Sequence, residues 1–190
     1  MENKIVYIIA GANGSGKTTF AKEFVKIPKI AFLNADEIKK EYNSEDKEGG
    51  KIRAGRIFFN RLKKLISSDK DFAIESTLSG QSLISIIKEL KSKGNNIILL
   101  YIFLDNFEIA IDRVRIRVEE GGHNIPTKDI IRRYSRSLNN FWKIYKDLAD
   151  EWQMFYNGED NVIQTALGFK NNYKIINEEK FDLFKRGLDV

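Results

Sequence analysis

Short, almost unbroken apolar runs alternate along this chain with longer segments in which apolar residues recur every three or four positions. The runs Ile5-Val6-Tyr7-Ile8-Ile9-Ala10, Ile30-Ala31-Phe32-Leu33, Phe72-Ala73-Ile74 and Ile97 through Leu104 are what strands buried on both faces require. Helical spacing follows each of them. It predicts helices after residue 16, from Glu37 to Lys40, over about 51–67 (Phe58, Leu62, Leu65 and Ile66 on one stripe), and through Leu83, Ile86, Ile87 and Leu90. Gly94 is a C-cap for the last of these. Residues 43–50 read as a loop. Further helices are expected from Phe107 to Glu119 and from Thr127, as N-cap, through the stripe Phe141, Trp142, Tyr145 and Leu148. Trp152 to Tyr156 predicts another strand, 161–169 and 173–176 a closing hairpin, and Glu178 to Arg186 a short last helix. Strands alternating with helices make this an α/β chain with a parallel sheet.

The first strand and first helix are joined by Gly11-Ala12-Asn13-Gly14-Ser15-Gly16-Lys17-Thr18, which fills every fixed position of G-x-x-x-x-G-K-[ST]. A polyphosphate needs a backbone that can wrap it closely, with N–H groups turned inward and a helix N-terminus at its end. Glycines at 11, 14 and 16 allow the wrap. Lys17 is then placed for the β- and γ-phosphates and Thr18 for Mg²⁺, with Ala12, Asn13, Ser15 and Thr19 completing the nucleotide-binding stretch.

The other candidates lie where an open α/β sheet places its ligands, beyond the carboxyl ends of the strands. Asp36 follows the second strand and reads equally as a group beside the ligand or as a helix N-cap. Glu75 closes the third strand and precedes Ser76-Thr77, while Asp105 closes the fourth. Analogy with kinase-type P-loop proteins, whose metal-associated acid sits on the strand beside the first, ranks Glu75 ahead of Asp105. Two helices joined through Gly121-Gly122 carry Arg113, Arg115 and Arg117, then Arg132, Arg133 and Arg136. Like charges one turn apart repel, so the pair makes most sense around an anion, as a lid over about 106–139. Arg53, Arg56 and Arg61 read as solvated. His123, the one histidine, reads as a structural hydrogen-bonder in a tight loop.

Composition narrows the classes. With 190 residues, 42% hydrophobic and 31% charged, the chain suits one domain over 1–190 and has no apolar run near the ~20 residues of a membrane span. No cysteine is present, so disulfides and thiolate metal sites are excluded. Met1-Glu2-Asn3-Lys4 leads directly into the first strand, so no signal peptide and a cytoplasmic location are expected. The net charge of +5 suits an anionic ligand, but Lys and Arg are spread along the chain and argue little for nucleic acid.

With these pieces in hand, the chain resembles the zeta-toxin family of P-loop kinases, including its small members described as predicted ABC-type ATPases, over residues 5 to about 157. The likeness rests on Gly11 to Thr18, Asn34-Ala35-Asp36, Glu75-Ser76-Thr77-Leu78-Ser79-Gly80, Arg113 through Arg117, and Gly121-Gly122-His123-Asn124-Ile125-Pro126 followed by Arg132-Arg133-Tyr134. It implies a three-layer P-loop NTPase fold with a mostly parallel sheet in the order 2-3-1-4-5 and a helical lid. It further implies ATP and Mg²⁺ as cofactors, Asp36 as the base, Glu75 and Thr77 as groups for substrate or metal, and catalytic arginines among Arg113, Arg117, Arg132 and Arg133. Known members phosphorylate UDP-N-acetylglucosamine, and an antitoxin protein is a candidate partner. Where larger toxins carry a basic residue beyond the third-strand acid, this chain has Ser79, Gly80 and Gln81. A nucleotide-dependent switch acting on a protein or nucleic acid, or a nucleoside or polynucleotide kinase, is the alternative.

Overall fold

The computed structural model describes residues 4–26, 30–41, 47–122, 124–158, 161–169 and 172–189. Its centre is β1 (Ile5–Ala10), flanked by β3 (Phe72–Ser76) and β4 (Asn96–Phe103), both parallel to it. The short β2 (Ala31–Leu33) lies outside β3, and β5 (Glu151–Asn157) lies parallel to β4 on the other side. Two antiparallel strands, β6 (Val162–Phe169) and β7 (Asn172–Ile175), extend the same sheet, giving the order β2-β3-β1-β4-β5-β6-β7. The expected 2-3-1-4-5 order is present, with the closing hairpin added at its edge.

Both faces of β1 are covered, which is why its sequence is apolar throughout. On one face Ile9, Ala73, Leu100 and Ile102 pack with Ala21, Phe20 and Phe24 of α1 (Lys17–Lys26). On the other, Val6, Ile8, Ile74, Leu99 and Tyr101 meet the remaining helices. These are α2 (Ala35–Glu41), α3 (Lys47–Ile66), α4 (Ser82–Ser92), α5 (Phe107–Glu119) and α6 (Thr127–Asn140), with the short α7 (Lys146–Leu148) and the C-terminal α8 (Glu178–Arg186). Gly94, at φ +80°, ends α4: its N–H reaches Lys91 O and the Asn95 N–H reaches Leu90 O, a Schellman closure.

Three local expectations are corrected. Lys47 to Gly50 belong to α3 rather than to a loop, while 42–46 fall outside the described residues, as does His123. Thr127 is the first residue of α6 and Pro126 precedes it as the cap, its carbonyl accepting from Asp129 and Ile130 N–H. The helix expected to run through Leu148 passes through a π-turn, Phe141–Tyr145. That turn moves Phe141 into the core, stacked on Tyr101 at 4.0 Å between ring centroids and edge-on to Trp152 and Phe184.

The amino ends of the central strands are closed by side chains: Asp71 accepts the Ile5 N–H and Asp150 the Ile97 N–H. Their carboxyl ends point to the opposite rim, where β1 runs into the glycine loop.

Because Phe141 is fully buried between rings, Phe141→Ala should lower stability by about 3–5 kcal/mol. Urea unfolding should show a lower midpoint at unchanged slope. A loss below about 1 kcal/mol would contradict this account of the aromatic core.

Candidate active site

The loop between β1 and α1 is shaped by close backbone approach. At Gly11 (φ +149°) a Cβ would stand 2.1 Å from Ile102 O of β4, and at Gly14 (φ +80°) 2.6 Å from Ala110 O of α5. Neither position admits a side chain. The Ser15 hydroxyl is buried with no hydrogen-bond partner among the described residues, so a spare donor stands within the loop. A buried donor without a partner is costly, and a phosphate oxygen is the kind of acceptor that would satisfy it.

Lys17, the first residue of α1, is only 7% exposed and donates to Ala12 O at 2.8 Å. Burial pushes its pKa down; the Glu75 and Asp36 carboxylates oppose that, and Arg117 adds to it. Next to it, Thr18 Oγ1 donates to the Glu75 carboxylate, at 3.1 Å to Oε1 and 2.9 Å to Oε2. Asn34 Nδ2 donates to Oε2 at 2.7 Å. Burial raises the Glu75 pKa above the ordinary glutamate value, and the Lys17 charge and the Thr18 hydroxyl work against the rise. Thr18 and Glu75 together offer hard oxygen ligands in the small number that Mg²⁺ takes from protein, so the residues fit that ion.

Asn34 has a second role that its sequence position conceals. Its Oδ1 accepts the backbone N–H of Asp36 at 2.7 Å and of Glu37 at 3.2 Å. Asn34 therefore caps α2, and the reading of Asp36 as the N-cap is corrected. The Asp36 side chain lies instead in the first turn of α2, lining the site.

Two cavities meet at this rim. The first, about 450 Å³, is lined by Lys17, Thr18, Thr19, Arg113, Arg117 and Asn157, among others. The second, about 440 Å³, has Thr77, Ser79 and Ser82 on one side, Phe58 and Phe59 on another, and Arg132, Arg133 and Arg136 on a third. Asn13, Asn34, Asp36 and Glu75 line both. The four arginines expected of the lid thus divide: Arg113 and Arg117 stand at the first cavity, Arg132 and Arg133 at the second. Arg113 donates to Gly158 O at 2.7 Å, and Arg132 pairs with Asp129 at 2.8 Å. Asp105 lines neither cavity; both its oxygens accept from the Tyr156 hydroxyl, at 3.0 and 2.8 Å.

Sequence reasoning passed over several of these groups. Asn157 ends β5, and its Nδ2 donates to Ser15 O at 2.9 Å, bracing the glycine loop. Its position at a strand's carboxyl end was the available signal. Arg136, which the sequence already groups with Arg132 and Arg133, stands one turn beyond Arg132 and lines the same cavity. No sequence signal marks the bracing of residues 77–80, where Leu78 has φ +50°. Asn140 donates to Leu78 O and Tyr145 to Gly80 O, both at 2.7 Å.

Comparison with known proteins bears on this geometry. Residues 1–166 match the zeta toxin family. An uncharacterized protein of Haemophilus influenzae is 35% identical over 135 residues, covering 70% of this chain and 92% of its own. Among solved structures, AvrRxo1-ORF1:-ORF2 with ATP superposes with a TM-score of 0.73 at 16% identity, covering 95% of this chain. This chain spans 63% of the length of that one. The PezAT toxin-antitoxin system of Streptococcus pneumoniae gives a TM-score of 0.65 at 18% identity over 100% of this chain and 87% of that one. At such identities the structures establish a shared fold, and the family match over most of the chain establishes membership: this protein belongs to the zeta toxin family.

Proposed function

We propose that the protein transfers the γ-phosphoryl group of ATP to a hydroxyl of an anionic small molecule. The observation that carries this reading is the seam at which Asn13, Asn34, Asp36 and Glu75 line both cavities. A donor on the glycine loop and an acceptor in the neighbouring cavity would then meet at the carboxylate of Asp36, which lines both. In the proposed reaction it accepts the proton of the attacking hydroxyl as the new O–P bond forms and the bond to the leaving diphosphate breaks.

The remaining residues divide by cavity. Lys17, Arg113 and Arg117 offset negative charge on the donor phosphates, where charge develops in transfer. Thr18 and Glu75 would hold Mg²⁺, which supplies charge neutralisation across the β- and γ-phosphates when bound. On the acceptor side Arg132, Arg133 and Arg136 suit a phosphate or diphosphate, and Thr77 offers a hydroxyl for orienting the substrate. UDP-N-acetylglucosamine, an acceptor known in the family, has the required charge and hydroxyls and is our first candidate. PezAT is a toxin-antitoxin system, and an antitoxin protein is correspondingly the proposed partner.

Removing the base tests the assignment. With Mg²⁺, ATP and UDP-N-acetylglucosamine, Asp36→Ala should cut formation of the phosphorylated sugar nucleotide by roughly 10²- to 10⁴-fold while nucleotide binding persists. Mass spectrometry of the products reads the first quantity and nucleotide titration the second. Transfer by Asp36→Ala at the wild-type rate would remove Asp36 from this role.

The half-buried carboxylate of Glu75 gives a pH prediction. Glu75 must be ionised to receive a cation, and its pKa is raised above the ordinary 4.5. Activity should therefore be lost, as pH falls, at a higher pH than an ordinary glutamate would give. Proton and metal compete for one group, so raising Mg²⁺ tenfold below saturation should move the acid limb of kcat/KM down by up to about one pH unit. A limb that stays fixed as Mg²⁺ varies would separate Glu75 from the metal.

A further inference from the structure

Asn13 reaches the seam from the glycine loop. Gly14, Gly16, Lys17 and Thr18 line the first of the two cavities that meet there and not the second, whereas Asn13 lines both. It is 4% exposed, and its Oδ1 is shut in with no hydrogen-bond partner among the described residues. Asn34 and Glu75, which share the seam, are bonded to each other.

The architecture of the loop does not call for this side chain. Asn13 and Gly14 are the corners of a turn closed by the Ser15 N–H on Ala12 O at 3.2 Å. Gly14 takes φ +80° there, the left-handed value that the third residue of a type II turn needs. An asparagine in a turn commonly bonds its own backbone two residues on, and Oδ1 of Asn13 makes no such bond. A buried carbonyl left without a donor is destabilising, so an aliphatic side chain of the same size would serve the fold at least as well. A destabilising polar group where two cavities meet fits a site that gives up stability for activity.

The amide has two ends, an acceptor oxygen and an NH₂ donor. With Oδ1 closed off, Nδ2 is the end left to the cavities. In phosphoryl transfer negative charge spreads over the three equatorial oxygens of the group in flight, and these accept hydrogen bonds. A donor fixed at the point of crossing stabilises that charge with no reorganisation. The backbone beside Asn13 is so fixed: a Cβ on Gly14 would meet Ala110 O at 2.6 Å, because the loop lies directly on α5.

We infer that Asn13 is a catalytic residue, whose Nδ2 donates to an equatorial oxygen of the phosphoryl group as it passes from ATP to the acceptor. The contact is stronger in the transition state than with bound ATP. This rests on the kinase reading and deepens it by adding a neutral donor to the cations Lys17, Arg113 and Arg117. The step balances as before: the acceptor oxygen bonds to phosphorus, the bond to ADP breaks and the proton goes to Asp36, while the amide gives up none of its own.

Two variants test this. Asn13→Leu keeps the approximate shape and removes both polar ends, and Asn13→Ala removes them without bulk. Each is measured for ATP turnover with and without UDP-N-acetylglucosamine, for affinity towards ATP and towards ADP with aluminium fluoride, which mimics the phosphoryl group in flight, and for melting temperature. Turnover should fall roughly 10- to 10³-fold in both, and the ADP and aluminium fluoride complex should weaken by a similar factor. Affinity for ATP should stay within about threefold of wild type, since the backbone N–H groups of the loop remain. The melting temperature should lie no more than about 2 °C below the wild-type value. Turnover at the wild-type rate would overturn the inference. So would an ATP affinity that falls as far as turnover, the sign of a ground-state contact, or a larger drop in melting temperature in both variants, the sign of a structural one. Lys17→Ala separates the two levels of the reading. If it abolishes turnover while the Asn13 variants keep it, the role of Asn13 fails and the donor site stands. If it leaves turnover and ATP affinity unchanged, the donor site fails, and the role of Asn13 with it.

Discussion

A half-buried glutamate organises this protein's working rim. Glu75 ends a strand paired in register with β1, opposite Ile9, and so lies beside the loop that β1 feeds. A carboxylate taken out of water is expensive unless hydrogen bonds and an opposite charge offset the cost. Here Thr18 and Asn34 supply the hydrogen bonds and buried Lys17 the opposite charge. Those partners come from the start of α1 and the end of β2. Meeting the requirements of one carboxylate thereby fixes the relative placement of three segments that are far apart in sequence. Through Asn34, which also caps α2, it fixes the position of Asp36.

The rest of the fold serves that arrangement from a distance. The amino ends of β1 and β4 are closed by Asp71 and Asp150, leaving the opposite rim to ligands. The aromatic core around Phe141, Tyr101, Trp152 and Phe184 seats the end of the α6 segment. From there Asn140 and Tyr145 reach the turn after β3 and hold the backbone that lines the second cavity. Arginines on α5 and α6 complete the two cavities separately, so the positive charge is divided between them.

Much of this was legible in the sequence, for definite reasons. The glycine loop is written in a fixed spacing because backbone approach as close as that of Gly11 to Ile102 O tolerates no side chain. The central strands are legible because both of their faces are covered. The arginines of α5 and α6 stood out through spacing alone, but spacing does not tell which helix face looks into which cavity. Their division, Arg113 and Arg117 at one cavity and Arg132, Arg133 and Arg136 at the other, is visible only in the fold. Asn34 and Asn157 were missed as contributors because an asparagine at a strand end is common turn chemistry. Only the fold shows Asn34 reaching Glu75 and Asn157 reaching Ser15. The π-turn at Phe141 has no sequence mark, since the residues around it are good helix formers by stripe and spacing.

The central claim is that a phosphoryl group crosses the seam beside Asp36 to a small organic anion. It is tested most directly by incubating the protein with Mg²⁺ and γ-labelled ATP in a deproteinised bacterial metabolite extract, then separating the products by anion-exchange chromatography. The account predicts label in a new organic phosphate more acidic than its precursor. Label released only as inorganic phosphate, whatever the extract, would contradict it.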